Sequence, residues 1–302
     1  MRLVTFSDGQ NGEKIGVLAG DNGIIDIGRA AQALGIALPF RADDMIDLIA
    51  TGRPGADAIA AILARKPAPH HTLSDVTLRA PIPRPRKNIF CVGWNYLEHF
   101  EEGAKTRTNV TELPAFPTFF TKTPTCANAP YGDITTHDGL TDKLDWEAEL
   151  ALVIGRKGKN IAEADAMDHV FGYMVANDVT AREIQRRHGQ QWFKGKSLDG
   201  YCPMGPWITT RDEVPDAESL SIACSVNGAT KQSSNTRHLY FKIPRIIAEL
   251  SAGLTLEPGD IVLTGTPHGV GHARTPPEFM AVGDVLETEI MGLGRLRNAV
   301  RA

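Results

Sequence analysis

The 302-residue chain reads as an α+β protein, a small α/β unit followed by a longer β-rich region. Three observations predict this. Beyond residue 88, apolar runs of strand length follow one another without the regular strand–helix alternation of a doubly wound sheet. Helical patterns there are few. Between the regions lies Pro81-Ile82-Pro83-Arg84-Pro85, through which neither a helix nor a central strand continues.

Taken in order, residues 2–6, 13–19 and 23–27 are expected to be short strands. The turn signals Asp8-Gly9, Asn11-Gly12 and Asp21-Asn22-Gly23 separate them. Residues 30–34, 43–50 and 56–65 read as helices, the last Ala-rich and following Pro54. This gives a small α/β domain over 1–75, a linker over 76–87 and a second domain over 88–302. In the second domain, strands are expected at 88–93, 118–122, 146–154, 171–177, 221–226, 260–264 and 285–290. Helices are expected at 161–168, 179–188 and 240–252. No internal repeat at solenoid periods is present.

Composition excludes several classes. Hydrophobic residues make up 42% and the net charge is -4, with no basic stripe interleaved with aromatics, so nucleic acid is not an expected partner. No apolar run approaches the roughly 18 to 20 residues that span a bilayer. Residues 1–8 lack the apolar core of a signal peptide, which makes the cytoplasm the expected location. Cys91, Cys126, Cys202 and Cys224 lie far apart and form no C-x-x-C pair, so free thiols are expected. Asn109-Val110-Thr111 matches a glycosylation sequon and, without a secretory signal, is taken as chance.

Chemistry concentrates in four segments. In Asp145-Trp146-Glu147-Ala148-Glu149-Leu150, strand alternation puts Glu147 and Glu149 on one face, opposite an apolar face. Buried side by side, two carboxylates need a cation or a shared proton; the alternative is a solvated face. Asp178 follows an apolar strand and precedes a helical pattern, so it is either a helix cap or a third carboxylate of the same site. Such an all-oxygen set suits Mg²⁺, Mn²⁺ or Ca²⁺ better than zinc, and three protein ligands leave positions open for substrate. In Gly93-Trp94-Asn95-Tyr96-Leu97-Glu98-His99-Phe100-Glu101-Glu102, His99 and Glu102 stand three apart on a helical face. A carboxylate so placed would orient the imidazole as a base; the alternative is a surface pair. The polar segment 101–112 is expected to form a mobile lid.

The third segment, Gln191 to Gly200, offers Lys194 and Lys196 as positive charge for an enolate or carboxylate, or is an exposed loop. The fourth, Gly259 to Gly271, runs from a strand into a glycine-rich turn able to hold an anion. It is no P-loop, since the Lys-Ser/Thr ending is missing, and no dinucleotide-binding context surrounds it. Beyond it, His268, His272 and Arg274 are candidates for a second carboxylate, with a solvated loop the expected reading.

Together these segments resemble the fumarylacetoacetate hydrolase family. The matching stretches are Gly93-x-Asn95-Tyr96-x-x-His99, Glu147-x-Glu149-x-x-x-x-Ile154-Gly155, Asn177-Asp178-x-Thr180-Ala181-Arg182, Lys194-Gly195-Lys196-Ser197 and Leu263-Thr264-Gly265-Thr266-Pro267-x-Gly269-Val270-Gly271. The resemblance implies a mixed β-sandwich roll over 88–302, a small N-terminal domain and a homodimer. It implies Glu147, Glu149 and Asp178 as ligands of Mg²⁺ or Mn²⁺, and His99 and Glu102 as the lid dyad that activates water. Lys196 matches the active-site lysine, Arg182 and Gln185 lie near substrate, Thr266 contacts its carboxylate, and Lys122 faces the pocket. The implied activity is hydrolysis of a C–C bond in a small 2,4-dioxo acid of the acylpyruvate or fumarylacetoacetate kind. The alternative is an isomerase or decarboxylase of 2-oxo or 2-hydroxy-dienoate acids, such as a hydroxymuconate-type isomerase or an oxaloacetate decarboxylase, in aromatic or sugar-acid catabolism. A non-catalytic ligand-binding protein on the same scaffold ranks last.

Overall fold

The computed structural model describes residues 1–9, 12–106, 112–189 and 191–302. The Asn109-Val110-Thr111 sequon, Asn11 of one turn signal and part of the expected lid over 101–112 lie outside the described residues.

Near the N-terminus, strands Arg2–Ser7, Lys14–Ala19 and Gly23–Asp26 pair antiparallel in sequence order. Three helices follow, each started by a local signal. Asp26 accepts the Arg29 N–H at 3.0 Å, which starts helix Ile27–Leu34 ahead of its expected position. Gly35, at φ 66°, ends it. Asp44 caps Met45–Thr51 through Ile46 and Asp47 N–H, and Pro54 sits in the first turn of Arg53–Ala64.

Among the described residues, twelve strands form one large sheet. Its centre is Ala148–Ile154, every residue of which is buried, flanked antiparallel by Val170–Asn177 and Ile261–Leu263. Outward on one side come Ile89–Gly93 and Thr118–Lys122. On the other come Cys202–Thr210 and then Arg2–Ser7 with its N-terminal partners. A five-strand sheet pairs Ala229–Asn235, Ser221–Val226, Val285–Ile290, Gly294–Arg301 and Ile134–Thr135. One apolar cluster runs from Leu3 and Ile46 through Leu150 and Val262 to Leu286, so the N-terminal strands share a core with the larger sheet. This is an α+β architecture of mixed sheets.

The strand Cys202–Thr210 was not expected. Its prolines argue against a central strand, yet the register shifts opposite Tyr173 to Val175 and leaves Pro206 in the irregularity, where no ladder donor is needed. A helix expected over 161–168 is instead the 3₁₀ segment Glu163–His169, and that expected over 179–188 shortens to Arg182–Arg187. Among the described residues no helix is long and apolar enough to cross a membrane.

Candidate active site

At the start of the central strand, Glu147, Glu149 and Asp178 are all buried, and ligand oxygens of the three lie within 4.8 Å of one another. The solvated-face alternative for the glutamates is excluded. Asp178 does not cap the following helix: Arg182–Arg187 starts after Ala181, and the Asp178 carboxylate is taken by two lysines. Lys122 Nζ lies 2.6 Å from its Oδ1 and Lys196 Nζ 2.6 Å from its Oδ2. Lys196 also reaches Glu147 Oε2 at 2.8 Å and donates to Thr180 Oγ1 at 3.0 Å. Backbone geometry fixes the cluster, because Asp178 N–H donates to Glu147 C=O at 2.8 Å and Glu147 N–H to Asn177 Oδ1 at 2.9 Å.

The charges are unevenly shared. Burial opposes ionisation of Glu147, but Lys196 and then Arg182 hold its carboxyl well below the usual carboxylate range. Glu149 goes the other way: burial, then the Asp178 and Glu147 charges, push its carboxyl well up. No ion pair reaches Glu149 among the described residues, and its Oε2 accepts only the Gly265 N–H, at 2.6 Å. Burial would lower both lysines, yet Asp178 raises Lys122 and Lys196 above the ordinary lysine value and keeps them ammonium ions. A buried carboxylate beside two others and without a cation is what a hard divalent ion relieves. The residues therefore fit a divalent metal.

Arg182 supplies a third positive group. Its Nε lies 2.7 Å from Asp145 Oδ2 and its Nη2 2.6 Å from Glu147 Oε1, while Nη1 donates to Gln185 Oε1 at 3.3 Å. Thr266, on the glycine-rich turn, is buried, and its Oγ1 accepts from Gln232 Nε2 at 2.9 Å.

His99 and Glu102 share the short helix Leu97–Glu102, and His99 Nδ1 stands 2.8 Å from Glu102 Oε1. Glu102 Oε2 accepts the Gly269 N–H at 2.8 Å, so the helix is docked on the glycine-rich turn. At the base of this helix Asn95 bonds Thr264 C=O at 2.8 Å and both backbone groups of Phe241. The glycine-rich turn also donates its Gly265 N–H to Glu149 Oε2 at 2.6 Å, so it links the dyad to the carboxylate cluster. Trp94, Trp192 and Phe120 pack edge to face at 4.7 and 5.2 Å, and the Phe120 ring lies 5.1 Å from Lys196 Nζ. Gly93 is required here, since a Cβ would fall 2.3 Å from the Trp192 ring.

The structure thus gathers His99, Glu102, Lys122, Glu147, Glu149, Asp178, Arg182, Gln185, Lys196 and Thr266 into one region. Lys194, offered with Lys196 as positive charge, is exposed. Sequence reasoning missed Asp145, which holds Arg182, and Gln232, which bonds Ala148 N–H at 2.9 Å and the Thr266 turn. Asp145 carried a signal as the acid opening the Glu147 strand; Gln232 lies in the polar run Ala229–Asn235, which has none. His272, expected in a solvated loop, is instead largely buried against Asp145.

The family model described as fumarylacetoacetate (FAA) hydrolase C-terminal matches residues 88–301. The chain is 41% identical over 295 residues to the oxaloacetate tautomerase YisK of Bacillus subtilis, covering 95% of each chain. It is 42% identical to the mitochondrial oxaloacetate tautomerase fahd2 of Xenopus laevis, covering 99% of this chain and 90% of the relative. Among solved structures, maleylpyruvate hydrolase from Sphingobium sp. SYK-6 in complex with manganese(II) and pyruvate superposes with a TM-score of 0.76. That pair is 32% identical, covering 100% of this chain and 99% of the other.

Proposed function

From a chain that belongs to the fumarylacetoacetate hydrolase family, we propose an enzyme that interconverts the keto and enol forms of a 2-oxo dicarboxylic acid of the oxaloacetate class. The observation that carries this is the uncompensated Glu149 within the three-carboxylate cluster, beside a His–Glu dyad. Two tautomerase relatives matched over at least 90% of their lengths support the isomerase alternative better than C–C hydrolysis.

The chemistry moves one proton: a C3–H bond breaks and an O–H bond forms on the 2-oxo oxygen. Glu147, Glu149 and Asp178 would hold Mg²⁺ or Mn²⁺, which when bound would supply positive charge to oppose the developing enolate. His99 acts as the base. Its Nδ1–H donates to Glu102, which fixes the tautomer and leaves Nε2 to take the C3 proton. Glu102 stabilises the imidazolium, and the Gly269 N–H holds Glu102 in place. Lys196 keeps an ammonium group beside Glu147 and Asp178, where it stabilises negative charge on oxygen and can return a proton. Arg182 and Gln185 bind a substrate carboxylate, and the Thr266 turn orients the other. The aromatic wall of Trp94, Trp192 and Phe120 limits water access and strengthens each charge interaction.

A second reading, water attack and C–C cleavage, is favoured by the same dyad, since an oriented imidazole also deprotonates water. The metal-loaded protein should accelerate decay of the oxaloacetate enol absorbance without releasing carbon dioxide. Pyruvate with carbon dioxide would show decarboxylation instead. Turnover of acylpyruvates to two acids, with no effect on the oxaloacetate enol, would overturn the tautomerase reading in favour of hydrolysis.

A further inference from the structure

Asp145 is fully buried, and both of its oxygens are committed. Oδ1 accepts the N–H groups of Trp146 at 2.8 Å and Gly271 at 2.6 Å. Oδ2 accepts Arg182 Nε at 2.7 Å and the His272 N–H at 3.0 Å, and stands 3.2 Å from His272 Nδ1. An ionised carboxylate offers about four lone-pair sites, so Asp145 has no oxygen left for a cation. It organises donors.

The groups it fixes present unused donors. Arg182 gives Nε to Asp145 and one Nη2 proton to Glu147, which leaves the Nη1 edge with only a 3.3 Å bond to Gln185. Because Gln185 turns its Oε1 to the guanidinium, its Nε2 group faces away, and that group has no hydrogen bond among the described residues. The same holds for His272 Nε2: Nδ1 is committed to Asp145, and the other ring nitrogen has no partner among the described residues. The His272 side chain keeps 14% of its surface exposed. The charged groups that bear on the ring are Arg182, Asp145 and Glu147, and burial first, then Arg182, lower its pKa from the ordinary histidine value. A carboxylate arriving at Nε2 reverses that balance and draws a proton onto the ring.

We propose that Asp145 is a positioning residue that sets Arg182 and His272 side by side and that His272, with Arg182 and Gln185, receives the carboxylate a dicarboxylic 2-oxo acid carries beyond its 2-oxo group. The assignment rests on the 2-oxo acid reading above and names the groups that select its dicarboxylic members. It makes His272 a specificity-determining residue and Asp145 the hub that joins it to Arg182.

The test compares oxaloacetate with 2-oxobutanoate, which has a methyl group where oxaloacetate has its distal carboxylate. Calorimetric binding of both acids to the Mg²⁺-loaded protein gives an affinity ratio without requiring turnover, and deuterium exchange at C3 gives the reaction. His272→Asn should weaken oxaloacetate binding about tenfold, the loss of one charge-assisted hydrogen bond, and leave 2-oxobutanoate unchanged. Asp145→Asn should lower the same ratio. Combined with His272→Asn it should add less than the product of the two single effects. His272 lies in the short 3₁₀ turn Gly271–Ala273 outside the sheets, so its variant keeps the assignment testable if Asp145→Asn does not fold. An unchanged ratio in His272→Asn, or equal losses for both acids, would overturn the proposal. Absence of exchange in the wild-type protein would overturn the tautomerase reading and leave the binding ratio still decisive for His272.

Discussion

Glu102 accepts the Gly269 N–H at 2.8 Å through one carboxylate oxygen and holds His99 Nδ1 at 2.8 Å through the other. These partners lie 167 residues apart in sequence for the glycine and three for the histidine. The contact joins the helix that carries His99, the proposed base, to the turn that carries Thr266, so one carboxylate orients the ring and docks the helix on the turn.

Glu102→Gln keeps the size and one acceptor but removes the charge proposed to stabilise an imidazolium at His99. The expected kcat for enolisation is about 10²-fold lower, with unchanged Mn²⁺ affinity in a calorimetric titration. A kcat equal to wild type would remove His99–Glu102 from the mechanism.

Gly269→Ala tests the other half of the contact. Gly269 has φ +98°, and a Cβ there would lie 2.2 Å from the Lys231 carbonyl oxygen, which is backbone and cannot swing away. The substitution should cost about 2 kcal/mol or more in urea unfolding and lower kcat with it, because the turn must move off Glu102. A variant as stable and as active as wild type would show that the turn adapts freely.

The site was more legible than the scaffold, for a physical reason. Glu147, Glu149 and Asp178 are charges in segments otherwise suited to burial, and such charges need a partner wherever they occur. His99 and Glu102 were legible because a helix brings residues three apart together. Asp145 and Gln232 were not, because their roles depend on contacts with Arg182, Gly271 and Thr266 that no local pattern encodes. Likewise the strand Cys202–Thr210 was hidden by Pro203 and Pro206; the missing donor of Pro206 falls in a register shift set by the neighbouring strand. The reverse error occurred at 161–168, where helical spacing predicted an α-helix and the chain forms 3₁₀ turns instead.

Alkaline pH offers a check on packing away from the metal ligands. Tyr173 is buried in the strand Val170–Asn177, and burial pushes its hydroxyl up to about 12. The folded chain therefore holds this proton more tightly than the unfolded chain. The stabilisation is complete below the unfolded value of ~10 and is lost as pH rises from there to the folded value, a difference on the order of 2 kcal/mol. Urea midpoints of wild type should fall across that window, and those of Tyr173→Phe should fall less. Parallel curves for the two proteins would contradict the burial of this hydroxyl.

The most direct test of the central claim is C3 deuterium exchange of oxaloacetate, followed by proton NMR, with and without divalent metal. Metal-loaded wild-type protein should exchange C3 well above the buffer rate, and EDTA or Glu149→Gln should each reduce that rate about 10²-fold or more. Undiminished exchange in EDTA and in Glu149→Gln would contradict a divalent ion at Glu147, Glu149 and Asp178 as the electrophile of this enzyme.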